Sequence, residues 1–507
     1  MNTTLRRLST VVMAMFLVLM VSTTWIQFVQ AGELNDNGRN VRKIYRDLGA
    51  ARGPIVVGED NVVVSVPIDD AYGRQRVYAD GSEDLAKLYA PITGFFAVNG
   101  NTAGLERSAN DYLSGRADSL WLDQLQNLLT GQEAEGSSVD TTIDPKIQQA
   151  AWDALGNYTG AAVALDPRTG AILAMVSKPS YDPNSLAVHS SGEVNETYQG
   201  LANTKPQINT DDGSEQFSPY SVLTNRAIDA TYPPGSTFKV FTSAAAIESG
   251  DFTPDSEVPS PNGYELTNTG TTINNFGGYD CVAGKTKITL ADAMRTSCNS
   301  SYLWLGGQIG KEGMTDMFKA FRFDESLEVP MGTVAGSYPG LDNTNPDSVD
   351  RIELSGMGQG DVKLTPLQVA MMSATVANGG TEMKPYLIKS IRDSELEVVE
   401  KTNPSTLANP ISSSTADALT GMMIGVVENG SGQNAQIPGV SVAGKTGTAE
   451  NGGHRQPTLW FTGFAPTDDP QVAIAVVLEN GGNSTVDTAS GTLAAPIAKK
   501  ILEAAIG

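Results

Sequence analysis

Three short polar motifs in the second half of the chain constrain its fold most, because together they specify a serine nucleophile with a lysine partner. In chain order they are Ser236-Thr237-Phe238-Lys239, Ser297-Cys298-Asn299 and Lys445-Thr446-Gly447-Thr448. A serine hydroxyl is a weak nucleophile near neutral pH and needs a neighbouring base. Residues three apart on a helix face the same way, so Lys239 can reach the Ser236 hydroxyl. The fold must then bring the two later motifs to that hydroxyl.

The order of the motifs is typical of penicillin-binding proteins and class A β-lactamases, which carry SxxK, SDN and KTG in this sequence. Cys298 stands where their middle motif has Asp. The chain resembles a class B penicillin-binding protein, in particular the penicillin-binding protein A type of actinobacteria. The resemblance covers most of the chain and includes four further segments: Tyr232-Pro233-Pro234-Gly235, Gly358-Gln359-Gly360, Thr365-Pro366-Leu367-Gln368 and Trp460-Phe461-Thr462-Gly463-Phe464-Ala465-Pro466.

The resemblance implies a peptidoglycan D,D-transpeptidase that needs no cofactor. In such an enzyme, neutral Lys239 takes the proton of Ser236 as the hydroxyl attacks the penultimate D-alanine carbonyl of a stem peptide, and terminal D-alanine leaves. β-Lactam antibiotics would acylate the same serine. A lysine is neutral at working pH only if it is desolvated or close to a cation, and Lys445 is the expected cation. Ser297 is the expected proton relay to the departing amine, because a hydroxyl both accepts and donates.

The other motif residues are expected to bind substrate. By resemblance, Asn299 hydrogen-bonds the peptide amide, and the substrate carboxylate docks at the KTG motif near Thr446 and Thr448, which flank Gly447. Backbone N–H groups of Ser236 and Thr448 form the oxyanion hole in the family pattern. In isolation, the serine and asparagine of the middle motif would be interpreted as helix caps; their position between the other motifs favours a role in the site.

The same motifs serve several reactions. Attack on the acyl-enzyme by a stem-peptide amine gives cross-linking, whereas attack by water gives a D,D-carboxypeptidase or, with a β-lactam, a slow β-lactamase. A class A lactamase uses a glutamate and a held water, and we find no loop that supplies the glutamate in the expected place. An alternative from another class is a non-catalytic scaffold for cell-wall assembly. The prediction is cross-linking, with a role in cell-wall synthesis, cell division or cell shape.

The predicted fold class is α/β (α+β): a central, mostly antiparallel sheet flanked by helices, with an all-helical subdomain, as in the enzymes that the chain resembles. At 507 residues, two folded domains are expected. The predicted segments are a cytoplasmic tail at 1–10, a transmembrane anchor at 11–29, a mixed, β-rich pedestal or dimerisation-like domain at 33–130, a polar linker at 131–140 and the transpeptidase domain at 141–507. The pedestal is the expected docking site for cell-wall assembly proteins.

An apolar run follows Arg6 and Arg7 near the N-terminus. From Val11 to Val29 it nearly matches a hydrocarbon core of roughly 30 Å, so the predicted location is the cell membrane, single-pass. A cleaved signal peptide is the competing interpretation, because Val29-Gln30-Ala31 resembles a small-residue cleavage site. Basic residues beyond the span outnumber those before it, so the extracytoplasmic placement of the catalytic domain depends on the resemblance.

Composition excludes several other functions. A formal net charge of −23 and a pI near 4.5 oppose nucleic-acid binding. His189 and His454 have no acid at a triad spacing, so Ser-His-Asp catalysis is not expected, and two histidines with two cysteines make a zinc site improbable. Cys281 and Cys298 are either a disulfide beside the middle motif or separate thiols, and the sequence leaves this open.

Overall fold

The computed structural model describes residues 2–30, 48–117, 135–208, 210, 212–339, 349–452, 454–479, 481 and 490–507. Both ends of the predicted pedestal and the first residues of the predicted linker therefore lie outside the described residues. The α-helices are Asn2–Thr24, Glu83–Thr93, Gly104–Ser108, Asn110–Leu113, Pro145–Leu155, Ser191–Asn203, Lys239–Glu248, Leu290–Arg295, Asn299–Ala320, Val349–Gly356, Pro366–Ala377, Ser413–Asn429 and Ala495–Ile506.

The strands form one six-stranded sheet, one five-stranded sheet and four short two-stranded ladders within the described residues. They are β1 Ile55–Val57, β2 Asp60–Pro67, β3 Arg74–Tyr78, β4 Ser138–Thr141, β5 Gly160–Leu165, β6 Ile172–Lys178, β7 Gln207–Ile208, β8 Gln216–Phe217, β9 Glu257–Pro259, β10 Gly263–Glu265, β11 Thr272–Asn274, β12 Lys287–Thr289, β13 Glu382–Met383, β14 Ile388–Arg392, β15 Val398–Lys401, β16 Thr406–Ala408, β17 Ala443–Ala449, β18 Thr458–Ala465 and β19 Val472–Leu478.

The N-terminal helix stands apart from the folded body. Its Leu5–Gln27 stretch is 23 residues long, has a mean hydropathy of 1.9 and is not buried against any other part of the described chain. At 1.5 Å per residue, this length is sufficient to cross a bilayer. The helix is therefore a candidate membrane span at the predicted position.

The catalytic half is built around the five-stranded sheet, with strand order β17-β18-β19-β5-β6 and antiparallel pairing throughout. Side chains on β19 alternate between two cores: Ala473 and Ala475 pack on one face, and Ile474 and Val476 on the other. Helix Pro366–Ala377 covers the first face, and helices Pro145–Leu155 and Ala495–Ile506 cover the second. A sheet buried on both faces explains the nearly continuous apolar sequence of β19.

The aromatic residues of β18 belong to the core. Trp460 and Phe464 are 0% and 1% exposed, and the Trp460 indole N–H donates to the carbonyl of Pro233 at 3.0 Å. Both are therefore core residues rather than a platform for substrate. The indole also fixes the segment that leads into the nucleophile motif.

Three buried charged residues organise the pedestal. Glu106 is 0% exposed and accepts from Arg52 Nη2 at 2.7 Å and from Arg76 Nε at 2.6 Å. Burial alone would raise the pKa of Glu106, but the two guanidinium groups hold it below its ordinary value. Arg76 also donates to the carbonyl of Gly53, and Tyr78 donates to the same carboxylate. These contacts join three segments that are separate in sequence.

The six-stranded sheet crosses from the pedestal into the catalytic half. Its order is β15-β14-β4-β1-β2-β3, so strands of the pedestal lie at one end and β14 and β15 at the other. Strand β4, which contains the last residues of the predicted linker, pairs in parallel with β1 and antiparallel with β14. The two halves of the molecule are therefore joined by backbone hydrogen bonds as well as by the chain.

Candidate active site

A tight turn presents Ser236 at the start of a buried helix. Pro233 and Pro234 cannot donate backbone hydrogen bonds, and Gly235 takes a left-handed conformation with φ 52°. A Cβ at Gly235 would lie 2.4 Å from the carbonyl oxygen of Thr448, so only glycine permits this contact. A 3₁₀ turn over Gly235–Phe238 then leads into helix Lys239–Glu248, and Ser236 remains half-buried.

Strand β17 packs directly against this turn. A Cβ at Gly447 would lie 2.8 Å from Thr237 Cγ2 and 2.9 Å from the carbonyl oxygen of Pro234. Glycine is therefore required for the strand to approach the nucleophile so closely. Gly447 is predicted from the motif to bind substrate, and in the structure its Cα also faces the nucleophile turn.

A disulfide holds the middle motif. Cys298 is 1% exposed, bonds to Cys281 and stands immediately before helix Asn299–Ala320. The pairing that the sequence left open is thus present in the structure. Ser297 has a left-handed backbone with φ 58°, which is rare for a non-glycine residue and is typical of functional sites.

Two buried lysines converge on Ser297. Lys239 Nζ donates to the carbonyl oxygen of Ser297 at 2.7 Å, to its Oγ at 3.3 Å and to Asn299 Oδ1 at 2.8 Å. Lys445 Nζ donates to Ser297 Oγ at 2.9 Å and to the carbonyl oxygen of Thr446 at 3.0 Å. Both lysines are 0% exposed. One hydroxyl therefore lies within hydrogen-bond distance of both ammonium groups.

The environments of the two lysines differ. Burial lowers the pKa of Lys445 to about 7. Lys239 faces three oxygen acceptors, and three N–H donors of an ammonium match them. Near neutral pH the pair therefore includes one readily neutralised amine, on Lys445. The neutral form of Lys239 stays a prediction. Ser297 connects the two groups and offers a path for a proton between them.

The two threonines of the KTG motif face further hydroxyl groups. Thr446 Oγ1 lies 2.6 Å from Ser431 Oγ, and Thr448 Oγ1 donates to Ser490 Oγ at 3.1 Å. Neither Ser431 nor Ser490 was identified from sequence, because neither lies in a motif and each comes from a different segment. The hydroxyl groups of these two threonines and two serines form one polar wall of the site.

One cavity of about 660 Å³ brings the polar ends of the motifs together. Its lining includes Ser236, Ser297, Asn299, Thr446, Thr448, Ser431, Ser490, Leu354, Gln359 and Gly360. Gly358 has φ 79°, and its carbonyl accepts from the N–H of Gly235 at 2.9 Å, so this glycine contacts the residue immediately before the nucleophile. The volume is in the usual range for ligand sites.

Neither histidine joins this site. His189 Nδ1 pairs with Asp70 and its ring packs on Tyr72, while His454 is exposed and does not itself line the catalytic cavity. Within the described residues, no cluster of three or more His, Cys, Asp or Glu side chains suits a metal ion. Serine, threonine and amide side chains are prominent in the lining of the cavity.

Two family models match this architecture. A penicillin binding protein transpeptidase domain model matches residues 160–503. The chain belongs to the penicillin-binding protein transpeptidase family. A penicillin binding protein A dimerisation domain model matches residues 52–139, which include the buried Glu106 cluster and the first part of β4.

Known relatives of this family match along nearly their whole length. The peptidoglycan D,D-transpeptidase PbpA of Mycolicibacterium smegmatis is 38% identical over 516 residues, covering 100% of this chain and 99% of that protein. PbpA of Mycobacterium tuberculosis is 38% identical over 514 residues with the same coverage. The predicted resemblance to the penicillin-binding protein A type is confirmed.

Solved structures agree with the fold. Penicillin-binding protein A from M. tuberculosis, as its ceftriaxone acyl-enzyme complex, matches with a TM-score of 0.81 and 36% identity, covering 91% of this chain and 100% of that one. Its penicillin G acyl-enzyme complex matches with a TM-score of 0.80 and 37% identity, covering 90% and 100%. The predicted transpeptidase fold is confirmed.

Proposed function

We propose that this protein is a peptidoglycan D,D-transpeptidase that cross-links stem peptides through an acyl-enzyme on Ser236. The observation that carries the proposal is the convergence of two buried lysines on one serine hydroxyl beside the half-buried Ser236. A family relationship over the whole chain to proteins named peptidoglycan D,D-transpeptidase supports the reaction class. The same serine is the proposed target of β-lactam antibiotics.

The proposed roles follow from the contacts. As acylation begins, protonated Lys239 passes a proton through Ser297 to neutral Lys445. Lys239 is then a neutral base for the Ser236 hydroxyl, and Lys445 is a cation beside the substrate carboxylate. This exchange requires no net uptake of protons, and it is supported by the 3.3 and 2.9 Å distances from Ser297 Oγ to the two Nζ atoms.

The serine oxygen then forms an ester with the penultimate D-alanine carbonyl carbon. The peptide C–N bond breaks, and the proton taken from Ser236 returns, through Lys239 and Ser297, to the departing D-alanine amine. In this scheme Asn299 binds the peptide amide, Thr446 and Thr448 bind the substrate carboxylate, and Gly447 keeps their strand close to the nucleophile. The N–H groups of Ser236 and Thr448 are the proposed oxyanion hole, worth about 3 kcal/mol for each donor.

We also propose a single-pass membrane protein with its catalytic half outside the cytoplasm. The predicted segments, an anchor at 11–29, a pedestal at 33–130 and a transpeptidase domain at 141–507, are consistent with the exposed apolar helix and with the two matched family models. Cell-wall assembly proteins are the proposed partners of the pedestal.

A fluorescent penicillin tests the acyl-enzyme. The full chain in detergent is incubated with the drug, the adduct is mapped by mass spectrometry and its lifetime is followed, with Ser236→Ala as the control. A long-lived adduct on Ser236 is expected. Rapid loss of the adduct with hydrolysis of the drug would indicate a lactamase instead, and a folded protein without an adduct would refute the acyl-enzyme.

A further inference from the structure

A second cavity, which we call the side cavity, adjoins the catalytic cavity. Its volume is about 530 Å³, and it shares four wall residues with the catalytic cavity. These are Gln359, Gly360, Glu450 and Gly452. The shared residues bring the side cavity next to the cavity that Ser236 lines. Each volume alone is in the range of a ligand site.

The side cavity has its positive and negative side chains on different parts of its wall. Lys363 and Arg455 line the side cavity but not the catalytic cavity, and both are exposed. Among the residues that the structure describes, no side-chain ion pair or hydrogen bond is found for either cation. Glu450 lies on the shared wall and is also exposed. A carboxylate therefore stands at the junction, with two cations available farther from the nucleophile.

A buried carboxylate adds a hydrogen-bond acceptor to the side cavity. Glu479 is 7% exposed, and its Oε1 accepts from Arg226 Nε at 3.1 Å and from the Tyr232 hydroxyl at 2.6 Å. Its Oε2 is buried and has no hydrogen-bond partner within the described chain. A buried acceptor without a partner is destabilising, so a donor that reaches Oε2 from the cavity is favoured. Arg226 offsets the charge of Glu479, which leaves the two exposed cations to attract an anion.

Cross-linking needs a second peptide with two distinct groups. Its amine must reach the acyl carbonyl on Ser236, and its chain ends in a carboxylate as the donor peptide does. A net charge of −23 repels anionic peptides at long range, so local cations are needed to bind one. The side cavity offers an anionic group near the reaction centre and two cationic groups away from it, which is the complement of such a peptide.

We propose that the side cavity binds the acceptor stem peptide, with its terminal carboxylate at Lys363 and Arg455 and its amine beside Glu450. This inference rests on the proposed transpeptidase function. The acceptor enters as an ammonium and loses one proton to solvent. Its nitrogen then forms the new C–N bond to the acyl carbonyl, the ester bond to Ser236 Oγ breaks, and the second amine proton returns through Lys239 to that oxygen. The Glu479 carboxylate accepts an N–H of the bound peptide.

The test separates acceptor binding from acylation. The full chain in detergent is acylated with a thioester analogue of the donor peptide, and the ratio of aminolysis to hydrolysis is measured with two acceptors. One is an amine-bearing peptide with a free terminal carboxylate, and the other is the same peptide with an amidated terminus. Wild type is compared with the double variant Lys363→Gln/Arg455→Gln and with Lys319→Gln, which removes an exposed lysine of helix Asn299–Ala320 that lines neither cavity.

Wild type is expected to prefer the free-carboxylate acceptor by roughly tenfold, as two partly exposed charge contacts predict, and the double variant is expected to lose this preference. Lys319→Gln should keep it. Equal use of both acceptors by wild type, or an unchanged preference in the double variant, would overturn the inference while leaving the acyl-enzyme intact. Failure of wild type to be acylated would instead refute the proposed function. The wild-type comparison stands even if the double variant does not fold.

Discussion

At the scale of single residues, Ser297 uses its backbone and its side chain for different tasks. Its carbonyl and its hydroxyl both accept from Lys239, and the hydroxyl also accepts from Lys445. A left-handed non-glycine residue costs on the order of 1–3 kcal/mol and persists only where its surroundings fix it. Here the helix that starts at Asn299 and the disulfide of Cys298 fix it. The strained backbone places one hydroxyl between two amines.

Replacement of Ser297 by alanine should therefore remove the relay and keep the fold. Lys239 would still donate to the carbonyl of residue 297 and to Asn299, so the lysine stays in place. We expect the second-order rate of acylation by penicillin to fall by about 10²–10⁴-fold, the usual contribution of a proton-transfer group. Stopped-flow fluorescence measures this rate.

A matched control is available in the same helix region. Ser301→Ala removes a buried hydroxyl that donates to the carbonyl of Pro259 at 2.8 Å and makes no contact with either lysine. This variant should acylate at nearly the wild-type rate. A Ser297→Ala enzyme as fast as the control would contradict the relay.

The lowered pKa of Lys445 predicts the pH dependence of acylation. Burial places this pKa at about 7, so Lys445 is neutral above that pH and can accept the relayed proton. Below it the amine is already protonated, and the acylation rate should fall about tenfold for each pH unit. Lys445→Arg, whose side chain stays charged, should be slow and should lack this inflection. A flat wild-type profile between about pH 5.5 and 8 would exclude the mechanism.

At the scale of secondary-structure elements, some parts of the site can be predicted from the sequence and others cannot. Strands β18 and β19 can be recognised in the sequence, because their apolar runs are typical of buried strands. The same patterns do not reveal Ser431 and Ser490, since each meets the KTG motif only through the tertiary fold. Nor did they reveal β4: its few residues follow a polar, glycine-containing stretch, and its partners β1 and β14 are distant in sequence.

The disulfide between Cys281 and Cys298 constrains the middle motif, and this constraint can be tested directly. It closes a loop of 17 residues next to the middle motif, and such a loop is worth about 3 kcal/mol in the chain-entropy model. Cys281→Ser should lower the free energy of unfolding by about this amount and slow acylation of Ser236, because Ser297 loses its tether. Chemical denaturation and penicillin acylation measure the two effects. If reduction of the wild-type disulfide changes neither, the tether has no role in the site.

At the scale of the whole molecule, side-chain hydrogen bonds and shared backbone hydrogen bonds hold the pedestal to the catalytic half, while Glu106 joins Arg52 and Arg76 within the pedestal. The Asn225 side chain of the catalytic half donates to the carbonyl of Pro91 in the pedestal at 2.9 Å. Gln148 donates to the carbonyl of Leu88 at 3.1 Å. Polar contacts thus reinforce the sheet that crosses the boundary.

Glu106→Gln tests the buried charge cluster. Removal of one partner leaves two buried guanidinium groups without a counter-charge, so we expect a loss of about 3–5 kcal/mol in the free energy of unfolding at pH 7. The pKa of Glu106 is lowered in the folded state, so its stabilising effect is present above its ordinary pKa of 4.5 and is lost as the pH falls below it. The difference between variant and wild type should therefore shrink in acid. An equal difference at pH 7 and at low pH would contradict this account.

The six-stranded sheet should keep the two halves of the molecule associated even after the chain between them is cleaved. Strand β4 is the only described strand of the sheet that pairs with both β1 and β14, so it is hydrogen-bonded to both halves of the molecule. A protease that cleaves the chain just before Ser138 would break one peptide bond and leave all of these backbone hydrogen bonds in place. The two fragments should elute as one species in size-exclusion chromatography until denaturant disrupts the sheet that joins them.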